Sequence, residues 1–360
     1  MTLISVFNKG LPLAAALLIS APLFASDEHT ALTDSAIHHS ETIVEDSHHE
    51  VAHKKEAFDP VPVIMHHISD SHEWHFWGKG EHSATIPLPV ILYTDGSLDV
   101  FMSSAFDHGH AAVKKGDRVY SVDSHGHISE QSGLHPIDIS ITKNVASLFL
   151  SFVLLMLLFV SAAKSAKKTI GAPKGLLAFL EPLVVFVRDD IIIPNMGEKH
   201  HKKYLPYLMT IFFFILINNL LGLIPGGANV TGNIAVALVL SFLTLVITNT
   251  SGNKSYWKHI FLPPVPLALY PLMVPIEVIG ILTKPFALMI RLFANITAGH
   301  IIILSLISLI FVFESLFIAP ISVGFVLFMN TLELLVAALQ AYIFTLLSSL
   351  FIGQAIQEHY

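Results

Sequence analysis

The sequence contains no cysteine among its 360 residues. A disulfide framework, a thiol nucleophile and a thiolate metal site are therefore excluded. Charge is also scarce, because Asp, Glu, Lys and Arg make up 13% of the chain while hydrophobic residues make up 53%. A composition this apolar is typical of a membrane protein rather than of a soluble chain.

The motifs of bond-making enzymes are missing as well. The sequence has no glycine-rich phosphate loop with its lysine, no zinc-protease helix and no nucleophile elbow. We therefore expect a chain without a catalytic site of its own, without a cofactor or metal centre, and without a nucleic-acid partner.

The few charges are unevenly divided along the chain. Residues 26–143 carry 19 acidic against 7 basic side chains, a net charge of −12, whereas residues 144–360 carry 8 acidic against 12 basic ones, a net charge of +4. Residues 1–25 combine Lys9 with a short apolar run that ends near Ala25. This pattern predicts a cleaved signal peptide, with an uncleaved anchor helix as the alternative, and places residues 26–143 outside the membrane.

The segment that follows the signal peptide divides into two parts. Residues 26–57 are polar, acidic and rich in histidine, which predicts a disordered arm. The sequence from 60 to about 122 holds three short β-leaning runs broken by Gly and Pro, which predict a small β-rich domain. These runs are 61–65, 84–93 and 97–102. We expect Trp74, Phe76 and Trp77 to seed its core.

Histidines are concentrated in this N-terminal part, which holds 16 of the 21 in the chain. Imidazole suits zinc or copper, so the close group His66, His67, His72 and His75 is a conceivable metal site. Its spacing matches no metal-binding motif. We therefore favour a hydrophilic extension that buffers or recruits protons near a channel mouth, with a specific metal site as the alternative.

Apolar segments dominate the remainder, and five of them predict membrane-spanning helices. They are residues 145–163, 204–223, 234–248, 272–311 and 317–354. The last two exceed the ~20 residues of a perpendicular span and must tilt or bend. Lysines follow the first and third segments, so the N-terminal region is expected outside and the C terminus in the cytoplasm. The apolar but charge-interrupted stretch 176–193 predicts an interfacial helix.

Polar side chains interrupt the last two apolar segments in a regular way. At 100° per residue, four of them share one face within about 40°, while His300 points elsewhere. These four are Glu277, Lys284, Arg291 and Asn295. A second stripe on the last segment comprises Asn330, Glu333, Ala337 and Gln340. Ionisable groups at membrane depth are costly, so the two stripes indicate an ion or substrate pathway between two helices.

The segment Arg291-Leu-Phe-Ala-Asn-Ile-Thr-Ala-Gly, followed by Leu339-Gln-Ala-Tyr-Ile-Phe, resembles subunit a of the rotary F-type ATP synthase over residues 144–360. The resemblance implies a mainly α-helical membrane domain that serves as the proton-translocating stator channel, with two half-channels. It implies a c-ring, the b subunits of the peripheral stalk and the catalytic head as partners, and the bacterial inner membrane as location. The two long helices would be the steeply tilted pair beside the c-ring.

The resemblance also implies roles for individual residues. Arg291 matches the essential stator arginine, and His300 and Glu333 match a relay pair whose order is exchanged in many bacterial members. Asn295 and Gln340 match polar residues flanking the arginine, and Glu277 matches the acidic residue of the cytoplasmic half-channel. Weaker candidates are Lys284, Asn218, Asn229 and Asn330, of which Asn218 lies in an Asn-Asn pair that lines a mouth or joins helices.

Two other functions compete with this interpretation. A secondary transporter with a His-rich substrate- or metal-binding external domain would show internal repeats, and the two halves of the chain share none. A metal-sensing receptor would need a cytoplasmic signalling domain, for which the loops are too short. The transported ion, H⁺ or Na⁺, depends mainly on the c subunit, and the His–Glu pair favours protons.

Overall fold

A computed structural model of the chain describes residues 59–77, 84–109, 111–123, 126–168, 172–224, 226–263, 265–313 and 317–357. The predicted signal peptide at 1–25 and the predicted arm at 26–57 lie outside these residues.

The N-terminal part of the described chain is one short helix followed by small antiparallel sheets. The elements are helix α1 Pro60–Ile68 and strands β1 Glu73–Trp77, β2 Ala84–Pro87, β3 Pro89–Thr94, β4 Ser97–Met102, β5 Val113–Lys115, β6 Arg118–Val122, β7 Ile128–Glu130 and β8 Ile137–Asp138. A 3₁₀ helix, Ser103–Gly109, joins β4 to β5. The sheets have the orders β1-β2, β4-β3-β8 and β5-β6-β7. The predicted small β-rich domain is thus confirmed.

The core of this domain lies between its two three-stranded sheets. It is built from Val90, Leu92, Phe101, Phe106, Val113 and Tyr120. The prediction that Trp74 and Phe76 seed this core is wrong. Both side chains are only half-buried on β1 and contact the helical part of the chain instead. Successive side chains of a strand point to opposite faces of the sheet, so Val90 and Leu92 lie on the same face of β3 and both enter the core.

The apolar run 61–65, predicted as a strand, is helical instead. Asp59 accepts a hydrogen bond from the backbone N–H of Val61 at 3.0 Å, and Pro60 occupies the first helical turn. An aspartate N-cap followed by proline is a helix start signal. It outweighs the β preference of the valines and isoleucine that follow.

The remainder of the described chain is helical. The helices are α2 Lys143–Lys168, α3 Leu176–Phe186, α4 Ile193–Gly222, α5 Ile234–Ser251, α6 Lys254–Phe261, α7 Tyr270–Phe313 and α8 Ile318–Ile356. A π-helical segment, Val187–Ile192, joins α3 to α4. Gly197, at φ 72°, kinks α4 after its first turn. The sequence did not predict α6, which interrupts the proline-rich stretch before α7.

Four helices of the described residues are long and apolar enough to cross a membrane, namely α2, α5, α7 and α8. They contain the first, third, fourth and fifth predicted spans. The second predicted span, 204–223, coincides with the C-terminal part of α4, and its crossing of the membrane stays a prediction. The long helices α7 and α8 begin and end within two residues of the predicted bounds.

Helix α4 lies at the centre of the bundle. It packs against α8 and α2, while α7 packs against both α8 and α5. Leu208, Ile211 and Ile215 of α4 are completely buried. This packing brings the polar positions of α7 and α8 next to the C-terminal end of α4.

Candidate functional site

An ion pair between side chains of the two long helices joins His300 on α7 to Glu333 on α8. Nδ1 of His300 lies 2.7 Å from Oε1 of Glu333, and the Glu333 side chain is 5% exposed. The two residues are far apart in sequence and meet because α7 and α8 pack side by side. The structure therefore brings together the two residues that the sequence singled out as a pair.

Gly299 provides the space that the Glu333 carboxylate occupies. A Cβ atom at this position would lie 2.9 Å from Oε1 and 3.1 Å from Cδ of Glu333. Contacts below 3.0 Å are essentially forbidden to real side chains, so any larger residue would displace the carboxylate. Sequence reasoning missed Gly299 because a glycine in a helix carries no chemical signal of its own.

The ring of His300 faces oxygen atoms on both sides. Nε2 lies 3.2 Å from the carbonyl oxygen of Gly222, at the end of α4, and Nδ1 lies 3.2 Å from that of Ile296. Carbonyl and carboxylate oxygens accept hydrogen bonds, so a ring with protons on both nitrogens satisfies this environment. The site can thus hold a proton between a carboxylate and two carbonyl groups.

Arg291 lies on a different face of α7. Arg291 and Asn295 are exposed, whereas Leu288, Leu292 and Ile296 are buried against the bundle. The helical geometry predicted that His300 points away from the arginine stripe, and the structure agrees. The guanidinium and the Asn295 amide are thus presented to whatever surrounds the bundle.

The polar stripe of α8 faces the interior of the bundle over most of its length. Glu333, Ala337 and Gln340 of α8 are buried inside the bundle, whereas Asn330 is exposed. The expected path between two facing stripes is therefore not what the fold presents, because the arginine position lies outward and Gln340 inward. Periodicity fixes the relative angles on one helix, but not the side on which a neighbouring helix packs.

A small pocket lies along the N-terminal half of α7. Lys284 lines it, with its Nζ atom 5.3 Å from the ring centroid of Phe351 on α8. Tyr256 of α6 also lines it and donates a hydrogen bond to Asn249 at 3.2 Å. Burial, and then the negative charge of the half-buried Glu277, raises the pKa of Tyr256, so the phenol keeps its proton. Tyr256 is a site residue that the sequence reasoning did not find.

The asparagines of α4 and of the following loop form helix contacts. Asn219 donates to the carbonyl oxygen of Ala337 at 3.1 Å and accepts from Thr231 at 2.6 Å. Asn218 donates to the carbonyl oxygen of Phe214, and Asn229 accepts from the N–H of Gly232. The Asn-Asn pair was expected either to line a channel mouth or to join helices. Asn219 joins helices, because its hydrogen bond to Ala337 connects α4 to α8.

Three hydroxyl side chains form a further buried polar cluster that the sequence reasoning overlooked. The hydroxyl of Tyr207 lies 2.7 Å from Thr244 Oγ1, which lies 3.4 Å from Ser348 Oγ. These contacts join α4, α5 and α8. Small polar residues in an apolar helix mark such interfaces, and that signal was present in the sequence.

Two histidines of the N-terminal domain have protein partners. Nε2 of His72 lies 2.7 Å from Oδ2 of Asp138, and Nδ1 of His75 lies 3.1 Å from Thr85 Oγ1. Within the described ranges, no cluster of three or more His, Asp or Glu side chains is arranged to hold a metal ion. The metal alternative therefore gains no geometric support from these residues.

Two family models match the chain, and together they cover most of the described residues. The model described as ATP synthase A chain matches residues 145–353. A second, described as a domain of unknown function, matches residues 63–145. The boundary between them falls at the start of α2, where the β-rich domain gives way to the helical bundle.

Curated relatives carry the same description. The chain is 52% identical to ATP synthase subunit a 2 of Chlorobaculum tepidum over 226 residues, which is 61% of this chain and 64% of that protein. It is 41% identical to ATP synthase subunit a 2 of Chlorobium luteolum over 367 residues, which is 97% of this chain and 93% of the relative. A subunit a from Pelodictyon phaeoclathratiforme is 46% identical over 267 residues, 69% of this chain and 78% of its own.

Proposed function

This chain belongs to the ATP synthase A chain family, and from that premise we propose that it is the proton-translocating stator subunit of an F-type ATP synthase. The single observation that carries the proposal is the His300–Glu333 pair, 2.7 Å apart between two long apolar helices. Ionisable side chains between apolar membrane helices cost free energy, and a role in proton transfer explains why this pair is present. The family membership decides against the secondary transporter.

Arg291 supplies the second element of the proposed mechanism. A rotor carboxylate crosses lipid in its neutral form, since an ionised carboxylate in hydrocarbon is far too costly. Opposite a fixed guanidinium the same carboxylate is ionised, because the nearby positive charge favours the anion. Arg cannot accept a proton, so it separates the two half-channels and couples proton flow to rotation.

The exposure of Arg291 supports this role. Its side chain and that of Asn295 lie on the outer face of α7, where a c-ring carboxylate could approach them. His300 and Glu333, by contrast, lie inside the bundle and serve as the relay of the inlet half-channel. Gln340 is buried on the same side of α8 as Glu333, two helical turns away.

The pocket around Lys284 and Tyr256 supports the second half-channel. Glu277 is the acidic residue assigned to it by the family resemblance, and its charge reaches Tyr256. Lys284 balances that charge at the pocket wall. Protons released near Arg291 leave along this end of α7.

The assembly and orientation follow from the same proposal. We place the c-ring against the exposed face of α7, and the b subunits of the peripheral stalk and the catalytic head elsewhere in the complex. The membrane is the bacterial inner membrane, with the β-rich domain in the periplasm and the C terminus in the cytoplasm. The lysines at the end of α2, among them the exposed Lys164 and Lys167, support this orientation.

ATP-driven proton uptake into inverted membrane vesicles tests the function. Arg291→Ala should reduce uptake to background while the complex assembles and the head still hydrolyses ATP. Arg188→Ala is the matched control, because Arg188 pairs with its neighbour Asp189 outside the site and its loss should leave uptake intact. Uptake at the wild-type rate in Arg291→Ala would overturn the proposal.

A further inference from the structure

The β-rich domain contacts the helical bundle at the loop that joins α4 to α5. Trp74 on β1 donates a hydrogen bond from Nε1 to the carbonyl oxygen of Gly226 at 2.7 Å. Phe76 on the same strand stacks on the Trp74 ring, with centroids 5.4 Å apart and planes 15° from parallel. Two stacked aromatic rings of the domain therefore lie against one glycine of the loop.

Gly226 fits this contact because it has no side chain. Its φ is +77°, and a Cβ atom would lie 3.0 Å from Cδ1 of Phe76 and 3.1 Å from its Cα. The Cα is a backbone atom and cannot give way as a flexible side chain can, although Phe76 itself lies at an irregularity in the pairing of β1 with β2. A larger residue at this position must move the loop or the strand.

Two carbonyl groups at or near the ends of this loop face α7. The carbonyl oxygen of Gly222 lies 3.2 Å from Nε2 of His300. The carbonyl oxygen of Gly232 accepts a hydrogen bond from Thr297 Oγ1 at 3.4 Å. Thr297 and His300 are three residues apart and lie on neighbouring positions of the helix. The loop therefore touches the β-rich domain at its tip and the relay histidine at its base.

Backbone hydrogen bonds join the described residues between these two contacts. The N–H of Gly227 donates to the carbonyl oxygen of Ile224 at 2.7 Å, and that of Ile224 donates to Leu221 at 3.2 Å. Gly227 leaves no room for a Cβ beside the Leu221 and Ile224 carbonyls. These contacts link the backbone beside Gly226 to the last turn of α4.

The domain is attached to the bundle at other places as well. The ammonium group of Lys143 donates to the carbonyl oxygen of Ser69 at 3.0 Å, and the N–H of Asn144 donates to Asp70 at 3.1 Å. Helix α1 also packs against α7. Loss of the Trp74 contact alone thus leaves the domain in place and releases only the loop.

We propose that the β-rich domain is a clamp on the proton inlet. Through Trp74 and Phe76 it holds the α4–α5 loop so that the Gly222 carbonyl stays on His300. It thereby sets the external pH at which protons enter the relay. This assigns a function to the segment that matches a domain of unknown function, and it rests on the proposed role of the chain as a proton channel.

Few groups lie close enough to the His300 ring to affect its protonation. Among the described residues, the ring faces the Glu333 carboxylate of α8, the Gly222 carbonyl of α4 and the Ile296 carbonyl of its own helix. Of these three, the Gly222 carbonyl adjoins the loop that Trp74 contacts, whereas α7 itself meets the N-terminal domain through helix α1. The clamp therefore acts on one hydrogen-bond acceptor of the ring.

Two variants of the complete ATP synthase in liposomes test the clamp. Trp74→Phe removes the hydrogen-bond donor and keeps the aromatic ring, and Gly226→Ala places a Cβ against Phe76. ATP synthesis is measured as a function of the pH on the side of the membrane that carries the β-rich domain. We expect both variants to shift the midpoint of this curve by about 0.5 pH unit or more, which is the effect of one hydrogen bond. The maximal rate of ATP hydrolysis by the head should not change.

Matched controls come from the same domain. Gly96→Ala introduces the same backbone strain, since Gly96 also has φ +77°, but nothing lies within 4 Å of its Cβ position. Tyr93→Phe removes a polar atom from an exposed aromatic residue. Both controls should keep the wild-type midpoint.

A wild-type midpoint in Trp74→Phe, measured on assembled enzyme, overturns the clamp. So does an equal shift in Gly96→Ala, which would reduce the effect to general strain of the domain. If Gly226→Ala does not assemble, Trp74→Phe decides by itself. Arg291→Ala separates the two proposals, because pumping without Arg291 refutes the channel function, whereas an inactive Arg291→Ala with unshifted clamp variants refutes the clamp alone.

Discussion

His300 and Glu333 meet across the packed surface of α7 and α8, with 2.7 Å between Nδ1 and Oε1. Neither residue is in contact with solvent to a large extent, and each is the nearest titratable partner of the other among the described residues. A pair of this kind must be energetically coupled, because removal of one member leaves the other buried and unpaired. The first two predictions rest on this relationship.

Exchange of the two residues should be tolerated better than either single change. His300→Glu leaves two carboxylates in contact and Glu333→His leaves two imidazoles, whereas the double variant restores a carboxylate and an imidazole. We expect each single variant to lose at least tenfold in ATP-driven proton pumping, and the double variant to recover part of it. A double-mutant cycle measures this, and strictly additive losses would count against a direct relay.

Gly299→Ala should disturb the relay without replacing either of its titratable residues. The new methyl group would lie 2.9 Å from Oε1 of Glu333 and displace the carboxylate from His300. We expect pumping to fall by about tenfold, which corresponds to about 1.4 kcal/mol. Gly280→Ala on the same helix is the control, since nothing lies within 4 Å of its Cβ position. Equal activity of the two variants would refute the role of Gly299.

The sequence predicted the helical bundle more accurately than the site. Long apolar runs define α7 and α8 almost to the residue, and the motif around Arg291 identifies the face that carries the guanidinium. The inward position of Gln340 and the outward position of Asn330 depend on which side of α8 the neighbouring helices cover. That choice comes from the packing of the whole bundle, and periodicity along one helix does not contain it.

The N-terminal domain shows the same limit in another form. The strands within 84–93 and at 97–102 follow from β-leaning runs broken by Gly and Pro, but the role of Trp74 does not follow from the sequence. An aromatic residue in a short strand is normally expected in the domain core. Here Trp74 and Phe76 contact Gly226, a residue that is remote in sequence and is recognisable only when the structure brings the loop to the strand.

The pair His72–Asp138 should make the β-rich domain sensitive to acid. Burial acts to raise the pKa of Asp138, but the hydrogen bonds from His72 and Ser140 outweigh it and hold this pKa below its ordinary value. The stabilisation is therefore present above the unfolded-state pKa of ~3.9 and is lost as the pH falls through the lower folded-state value. We expect Asp138→Asn to cost about 1 kcal/mol at pH 7 and progressively less as the pH falls through the lowered folded-state pKa.

Hydrogen exchange of the Ile139 amide in the complete enzyme measures this difference. That amide donates to the carbonyl oxygen of Ile91 at 2.9 Å and so reports the pairing of β8 with β3. Asp95→Asn, at an exposed turn position, is the control and should leave protection unchanged. A gap between wild type and Asp138→Asn that persists at acidic pH would show that the carboxylate charge is not the cause.

The exposed face of α7 should be accessible to cross-linking with the rotor. The chain has no native cysteine, so single cysteines can be introduced without background. Ala294→Cys and Ala298→Cys lie on the exposed face with Arg291, whereas Leu288→Cys lies on the buried face. We expect disulfide formation with cysteines placed in the c subunit at the first two positions only. Cross-linking of all three with equal yield would contradict the proposed orientation of α7.

ATP-driven proton pumping by the Arg291→Lys enzyme tests the central claim most directly. The substitution keeps a positive charge on the exposed face of α7 but replaces the planar guanidinium with an ammonium group that can lose its proton away from water. If Arg291 works as a fixed cation that no proton can pass, the Lys enzyme should assemble, hydrolyse ATP and pump no protons above background. Coupled pumping at a rate near that of the wild type would contradict the account.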